Sequence, residues 1–90
     1  MDLKPILMPQ LGLTMEEGVF QGFLKGPGEA FRKGEALFVV ESDKALVEVE
    51  AEADGVLKTV LAEVGKAYPV GATLGYYEEV DPRLAKEVTG

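Results

Sequence analysis

An all-β sandwich or barrel is the fold class this sequence predicts, and three observations predict it. Its apolar segments are short and are separated by Gly and Pro signals, the pattern of many short strands. The chain matches itself when slid by 37 residues. A clear strand–turn–strand pattern also lies in its centre.

The elements follow in order. Strands are expected at Leu3–Met8, Val19–Lys25, Glu29–Phe31, Ala36–Ser42, Ala45–Ala51, Val56–Glu63, Lys66–Tyr68 and Thr73–Glu79. The central pair is the best defined. Ala36-Leu37-Phe38-Val39-Val40 is a β-rich run, and Ala45-Leu46-Val47-Glu48-Val49-Glu50 alternates apolar and acidic residues from Val47. Two residues, Asp43 and Lys44, are left to make the turn. The core is expected to hold Phe20, Phe23, Phe31, Leu37, Val40, Leu57, Val60, Leu61, Tyr68 and Leu74. After Asp81-Pro82 the strand pattern stops, so residues 1–80 are expected to form the domain and 81–90 a linker or tail.

The repeat explains how so short a chain closes a core. Gly18 falls on Gly55, Val19 on Val56, Leu24 on Leu61, Gly28 on Gly65 and Ala30 on Ala67. Phe31 falls on Tyr68, Gly34 on Gly71, Leu37 on Leu74 and Glu41 on Glu78; eight of these nine pairs are identities. One half alone cannot bury its apolar face, whereas two packed halves can. Glycines 18, 28, 34, 55, 65 and 71 are expected to supply turn conformations that a side chain would strain.

Composition bounds the rest. Ninety residues make one small domain with a limited core and no cysteine to staple it. The absence of cysteine fits a reducing compartment, and the absence of Asn with it is a weak hint of a heat-adapted source. No apolar stretch has spanning length and no cationic, apolar leader is present, so neither a membrane nor a secretory role is expected. A net charge of −7 argues against nucleic-acid binding and favours partners with basic patches. The chain has no histidine, and Ser42 is its sole serine. The usual general base, nucleophile pairs and transition-metal ligands are therefore missing. No metal site and no catalytic residue are expected: the chain reads as a non-enzyme by itself.

Lys44 carries the functional signal. From Glu41 to Asp54 there are six carboxylates (Glu41, Asp43, Glu48, Glu50, Glu52, Asp54) and one base, Lys44. Tight hairpins prefer Asn-Gly or Asp-Gly, so backbone geometry alone does not choose Asp-Lys. An exposed lysine at a hairpin tip suits a covalent attachment point better than a catalytic pocket. The rival reading is an ordinary turn lysine.

Glu41-Ser42-Asp43-Lys44-Ala45 resembles the lipoyl-attachment signature of 2-oxo acid dehydrogenase complexes, in which Asp-Lys-Ala at a hairpin turn follows a Glu-Ser/Thr pair. Met8-Pro9-Gln10-Leu11-Gly12-Leu13-Thr14-Met15-Glu16-Glu17-Gly18 is similar to the opening of lipoyl domains, and the likeness runs from about Leu7 to Glu79. The resemblance implies a flattened β-barrel of two four-stranded sheets with quasi-twofold symmetry. It implies lipoate, amide-linked to Lys44 between Asp43 and Ala45, as the cofactor. It implies that Glu41 helps lipoylating enzymes select their substrate, and that Gly12, Leu13 and Thr14 lie beside the lysine turn and are read by a partner. Leu13 stands either as a contact or as a plug for the end of the core.

The same resemblance implies a set of partners. They are a lipoate ligase or lipoyl transferase, a thiamine-diphosphate 2-oxo acid decarboxylase, an acyltransferase catalytic domain and dihydrolipoamide dehydrogenase. The complex would be of the pyruvate, branched-chain or acetoin type, in a bacterial cytoplasm or a mitochondrial matrix. Two alternatives stay open. A biotin carrier shares the architecture but has Met on both sides of its lysine. An unmodified β-hairpin adaptor, like related domains of export machinery, carries nothing on its lysine.

Overall fold

The computed structural model describes residues 3–42 and 44–80. Eight strands are present among them: β1 Leu3–Leu7, β2 Glu17–Phe23, β3 Ala30–Phe31, β4 Ala36–Ser42, β5 Ala45–Glu50, β6 Gly55–Val60, β7 Ala67–Pro69 and β8 Thr73–Glu79. They form two four-stranded antiparallel sheets, ordered β1-β8-β6-β3 and β5-β4-β2-β7. The β4 and β8 bounds are those read from sequence. The end of β2 is shorter than expected, stopping at Phe23 rather than Lys25. There Pro27 and Gly28, the latter at φ 91°, turn the chain, and the Glu29 carboxylate accepts the Gly26 N–H at 2.6 Å. The expected tail, 81–90, lies outside the described residues.

The repeat is physical. Phe20 accepts from the Gly65 N–H and donates to the Lys66 carbonyl, while Leu57 accepts from the Gly28 N–H and donates to the Glu29 carbonyl. Residues 20, 65 and 66 stand 37 positions from 57, 28 and 29 in the matching sense. The register breaks are also matched: β2 shifts between Phe20 and Gly22 against β4, and β6 shifts between Leu57 and Thr59 against β8. Each sheet draws strands from both halves, since β3 pairs β6 and β7 pairs β2.

Between the sheets lie Ile6, Met8, Phe20, Phe31, Leu37, Phe38, Val40, Ala51, Leu57, Ala62 and Leu74. Phe20, Phe31, Leu37, Val40, Leu57 and Leu74 were expected there; Phe23 and Tyr68 are half-buried and pack against this core. Val60 and Leu61 are not core: they are 39% and 53% exposed. The bulge before Thr59 adds a residue to β6, which puts Leu61 on the outward face and passes the buried position to Ala62, while Val60, paired with Gly75, is the last residue of the strand and only partly covered. Burial of this apolar surface is the main stabilising term for a domain without disulfides.

Gly18 and Gly55 do not serve as turns. Both are buried in strands, and neither has a positive φ. A Cβ on Gly55 would stand 2.7 Å from the Glu78 carbonyl oxygen and 2.8 Å from the Tyr77 ring; one on Gly18 would stand 2.7 Å from Val40 Cγ1 and 2.8 Å from Met15 Cε. They are close-packing positions. The turn role holds for Gly28, Gly34, Gly65 and Gly71, and Gly22, with φ 124°, takes a left-handed conformation at the β2 bulge.

The topology separates two ends. Antiparallel pairing sets Val19 opposite Glu41 and Glu17 opposite Pro69, so β2 begins beside the β4–β5 turn. Gly71 and Ala72, just past Pro69, exchange main-chain hydrogen bonds with Met8. β1 therefore ends, and β2 begins, on the side of the β4–β5 turn, while Leu3, paired with Glu78, marks the other end.

Candidate functional site

The β4–β5 hairpin is built on strong pairing. Val40, wholly buried, pairs with Val47, Glu41 with Leu46, and Ser42 with Ala45. The connection between the last pair is thus two residues, Asp43 and Lys44. Asp43 lies outside the described residues. Lys44 is exposed and has φ 64°, the left-handed region that L side chains enter at a cost of about 1–2 kcal/mol. A glycine would enter it freely. A lysine is held there by the register on both sides.

Lys44 is presented rather than engaged. The ion pairs among the described residues are Lys4–Glu79 at 2.7 Å, Lys25–Glu35 at 3.3 Å and Lys58–Glu78 at 4.0 Å, none of them at the hairpin tip. Glu41, one pair below the tip, and Glu16 and Glu17, which line a depression with Ser42, are exposed. A long, solvated amine among carboxylates can act as a nucleophile toward an activated acid supplied by another protein, once deprotonated. Such a site fits an amide-linked acyl group, because the linkage needs an accessible amine and no pocket. Among the described residues no cluster of three or more His, Cys, Asp or Glu could hold a metal ion.

The β1–β2 loop stands next to this hairpin. Leu11, Gly12, Thr14 and Met15 line, with Ser42 and Val47, a shallow depression of about 430 Å³. Two of the three loop residues singled out in the sequence, Gly12 and Thr14, thus face the hairpin across this depression. The third, Leu13, is 100% exposed, so it is not a plug. It sits inside a turn closed by Met15 N–H to the Gly12 carbonyl at 3.2 Å.

The fold does not require a loop of this length. By their matching hydrogen bonds Met8 corresponds to Ala51, as Gly18 corresponds to Gly55. Nine residues separate Met8 from Gly18, and three separate Ala51 from Gly55. The quasi-twofold symmetry is broken at the segment that meets the lysine hairpin.

Sequence reasoning missed Leu46. It pairs with exposed Glu41 on the outward face of the hairpin and is 68% exposed. The available signal was its phase: Val47 and Val49 take the inward positions, which leaves Leu46 facing out.

Comparison with known proteins decides the family. Residues 4–76 match the biotin/lipoyl family, described as biotin-requiring enzyme. The solution structure of the lipoyl domain of the 2-oxoglutarate dehydrogenase complex from Azotobacter vinelandii superimposes with a TM-score of 0.67 at 33% identity, covering 83% of this chain and 95% of that one. The chain belongs to the lipoyl-domain family. Members of this family carry lipoate covalently on a lysine. Component 4 of the chloroplastic pyruvate dehydrogenase complex of Arabidopsis thaliana, a dihydrolipoyllysine-residue acetyltransferase, is 40% identical over 82 residues, which are 91% of this chain and 17% of that protein. The chain therefore spans about a sixth of this relative's length. A single-chain, multi-domain long-chain acyl-CoA carboxylase shares the fold, with a TM-score of 0.71 at 17% identity over 97% of this chain and 8% of that one. Among the described residues no helix is long and apolar enough to cross a membrane.

Proposed function

We propose that Lys44 is the lipoyl attachment site, flanked by Asp43 and Ala45, and that the domain carries acyl groups and electrons between the active sites of a 2-oxo acid dehydrogenase complex. The observation that carries this reading is Lys44 itself, a lysine in left-handed backbone at the tip of a two-residue hairpin turn. The lipoyl group, when bound, supplies the chemistry: its disulfide is reduced as one sulfur takes an acyl group, and is restored by loss of two electrons after that acyl group passes to coenzyme A.

The protein's part is presentation. The paired hairpin holds the Lys44 amine away from the sheets, and about ten single bonds beyond the backbone give a reach on the order of 12–14 Å. Tethering replaces free diffusion by a high effective concentration at each site visited. A lipoate ligase or lipoyl transferase installs the arm, reading Glu41. A thiamine-diphosphate decarboxylase loads it, reading Gly12, Leu13 and Thr14. An acyltransferase catalytic domain unloads it, and dihydrolipoamide dehydrogenase reoxidises it. The symmetry-breaking loop beside the hairpin supports the second of these assignments.

A biotin carrier is the rival class. Asp43 and Ala45 stand where that class has Met, and this favours lipoate. Incubating the lipoylated domain with a pyruvate or 2-oxoglutarate decarboxylase and its labelled 2-oxo acid tests the proposal. Label is expected on the wild-type domain and absent from Lys44→Arg. A domain that carries biotin instead, or a Lys44→Arg variant that still takes label, overturns it.

A further inference from the structure

We propose that Met15 is the positioning residue of the recognition loop, its side chain rooting the loop in the core so that Leu13 stands out beside the Lys44 hairpin. This rests on the reading of that loop as the surface the decarboxylase recognises. Residues 11–16 make no strand, so their shape depends on a few contacts. Met15 supplies two of them, while the Val70 N–H holds the Glu16 carbonyl at 2.9 Å at the end of the loop. The Met15 Sδ accepts the Leu11 N–H at 3.2 Å, and its own N–H donates to the Gly12 carbonyl at 3.2 Å. The Gln10 side-chain amide donates to the Leu13 carbonyl at 3.4 Å. Leu13, between these bonds, is left with its side chain in solvent.

The root of the loop is at Gly18. Met15 is half-buried and packs against the core, and its Cε occupies the space a Cβ on Gly18 would need. At the equivalent glycine, Gly55, the corresponding space is taken by the Glu78 carbonyl oxygen and by the rings of Tyr77 and Phe31. In the β5-β4-β2-β7 sheet the place of those rings is shared by Val40, Met8 and a side chain that belongs to the loop. A thioether is an adaptable filler for such a gap and a weak hydrogen-bond acceptor, so packing is the larger contribution. Met15 also lines the depression together with Ser42 and Val47, so it stands on the side of the loop that faces the hairpin.

The test uses lipoylated wild type, Leu13→Ala, Met15→Ala and Met15→Leu as substrates for the pyruvate or 2-oxoglutarate decarboxylase that acylates the wild type. Amide NMR spectra of each variant accompany the kinetics. Met15→Ala is expected to raise KM about tenfold with kcat within about twofold, as loss of binding alone predicts. Its amide shifts should change at residues 11–14 and around Gly18, over which Met15 packs, and not elsewhere in the sheets. Met15→Leu, which returns apolar bulk over Gly18, should bring KM back to within about threefold of wild type. If Leu13→Ala raises KM while Met15→Ala does not, the positioning role is overturned and the recognition role of the loop stands. If neither variant changes KM, the loop is not the recognised surface and both readings fall. A Met15→Ala protein whose sheet resonances are lost as well would make Met15 ordinary core, and that too overturns the proposal.

Discussion

Phe20 and Leu57 occupy the same position in opposite sheets, and each is held by the other half of the chain. The Phe20 N–H reaches the Lys66 carbonyl at 2.9 Å, and the Leu57 N–H reaches the Glu29 carbonyl at 3.0 Å. Both side chains are buried at the centre of the core. Neither half supplies a complete sheet: β3 needs β6, and β2 takes β7 as its outer neighbour.

A chain ending at Glu50 is therefore expected to be unfolded. It would keep β2, β4 and β5 but lose Leu57 and Leu74 from the core and both inner strands of the other sheet. Its amide NMR spectrum should show the narrow dispersion of a random chain. Dispersed, native-like signals from that half would contradict the shared core.

The two buried glycines should differ in what they tolerate. Around Gly55 the closest atom is a main-chain oxygen, that of Glu78, which cannot move without breaking the β6–β8 pairing. Around Gly18 the closest atoms are side-chain ends, of Val40 and Met15. Gly55→Ala is expected to cost about 3 kcal/mol or more, and Gly18→Ala about 1–2 kcal/mol, on the scale of overpacked cores. Urea unfolding of the two variants compares them, and the reverse order would contradict the packing described.

How much of this was legible in the sequence depends on what each residue answers to. The hairpin was legible because its pattern is local: alternating residues, a two-residue gap and a lysine that turn geometry does not ask for. The repeat was legible because glycines and apolar residues recur in one register. Leu61 was misassigned because a bulge resets the inward face, and a bulge is a property of two strands together; Val60 was misassigned because β6 ends there and leaves it partly uncovered. Gly18 and Gly55 read as turns because what crowds them comes mostly from other strands. Leu13 was left open between contact and plug, since an apolar loop residue answers equally to either until its exposure is known.

Lys44 should carry a backbone cost that glycine does not. Lys44→Gly removes about 1–2 kcal/mol of left-handed strain. It adds unfolded-chain entropy worth about 0.4–1 kcal/mol. The variant is expected to be as stable as wild type or more stable by up to about 1.6 kcal/mol, which urea unfolding measures. A clear loss of stability would mean that the lysine side chain supports the hairpin instead of being displayed by it.

Leu13→Ala separates display from packing in the same way. With Leu13 wholly exposed, stability should stay within about 0.5 kcal/mol of wild type, as for an ordinary surface change. Reductive acylation of the lipoylated variant should fall about fivefold or more in kcat/KM, on the order of 1 kcal/mol of lost recognition. Normal acylation would remove Leu13 from the recognised surface.

The central claim, that Lys44 is the lipoyl attachment site, is tested most directly by intact mass. Wild type and Lys44→Arg are produced in a lipoate-competent host, the Arg variant keeping the charge while losing the acylable amine. Wild type is expected to gain the mass of one lipoyl group and Lys44→Arg none, with both folded. A lipoyl mass on the Arg variant, or a biotinyl mass on the wild type, would contradict the account.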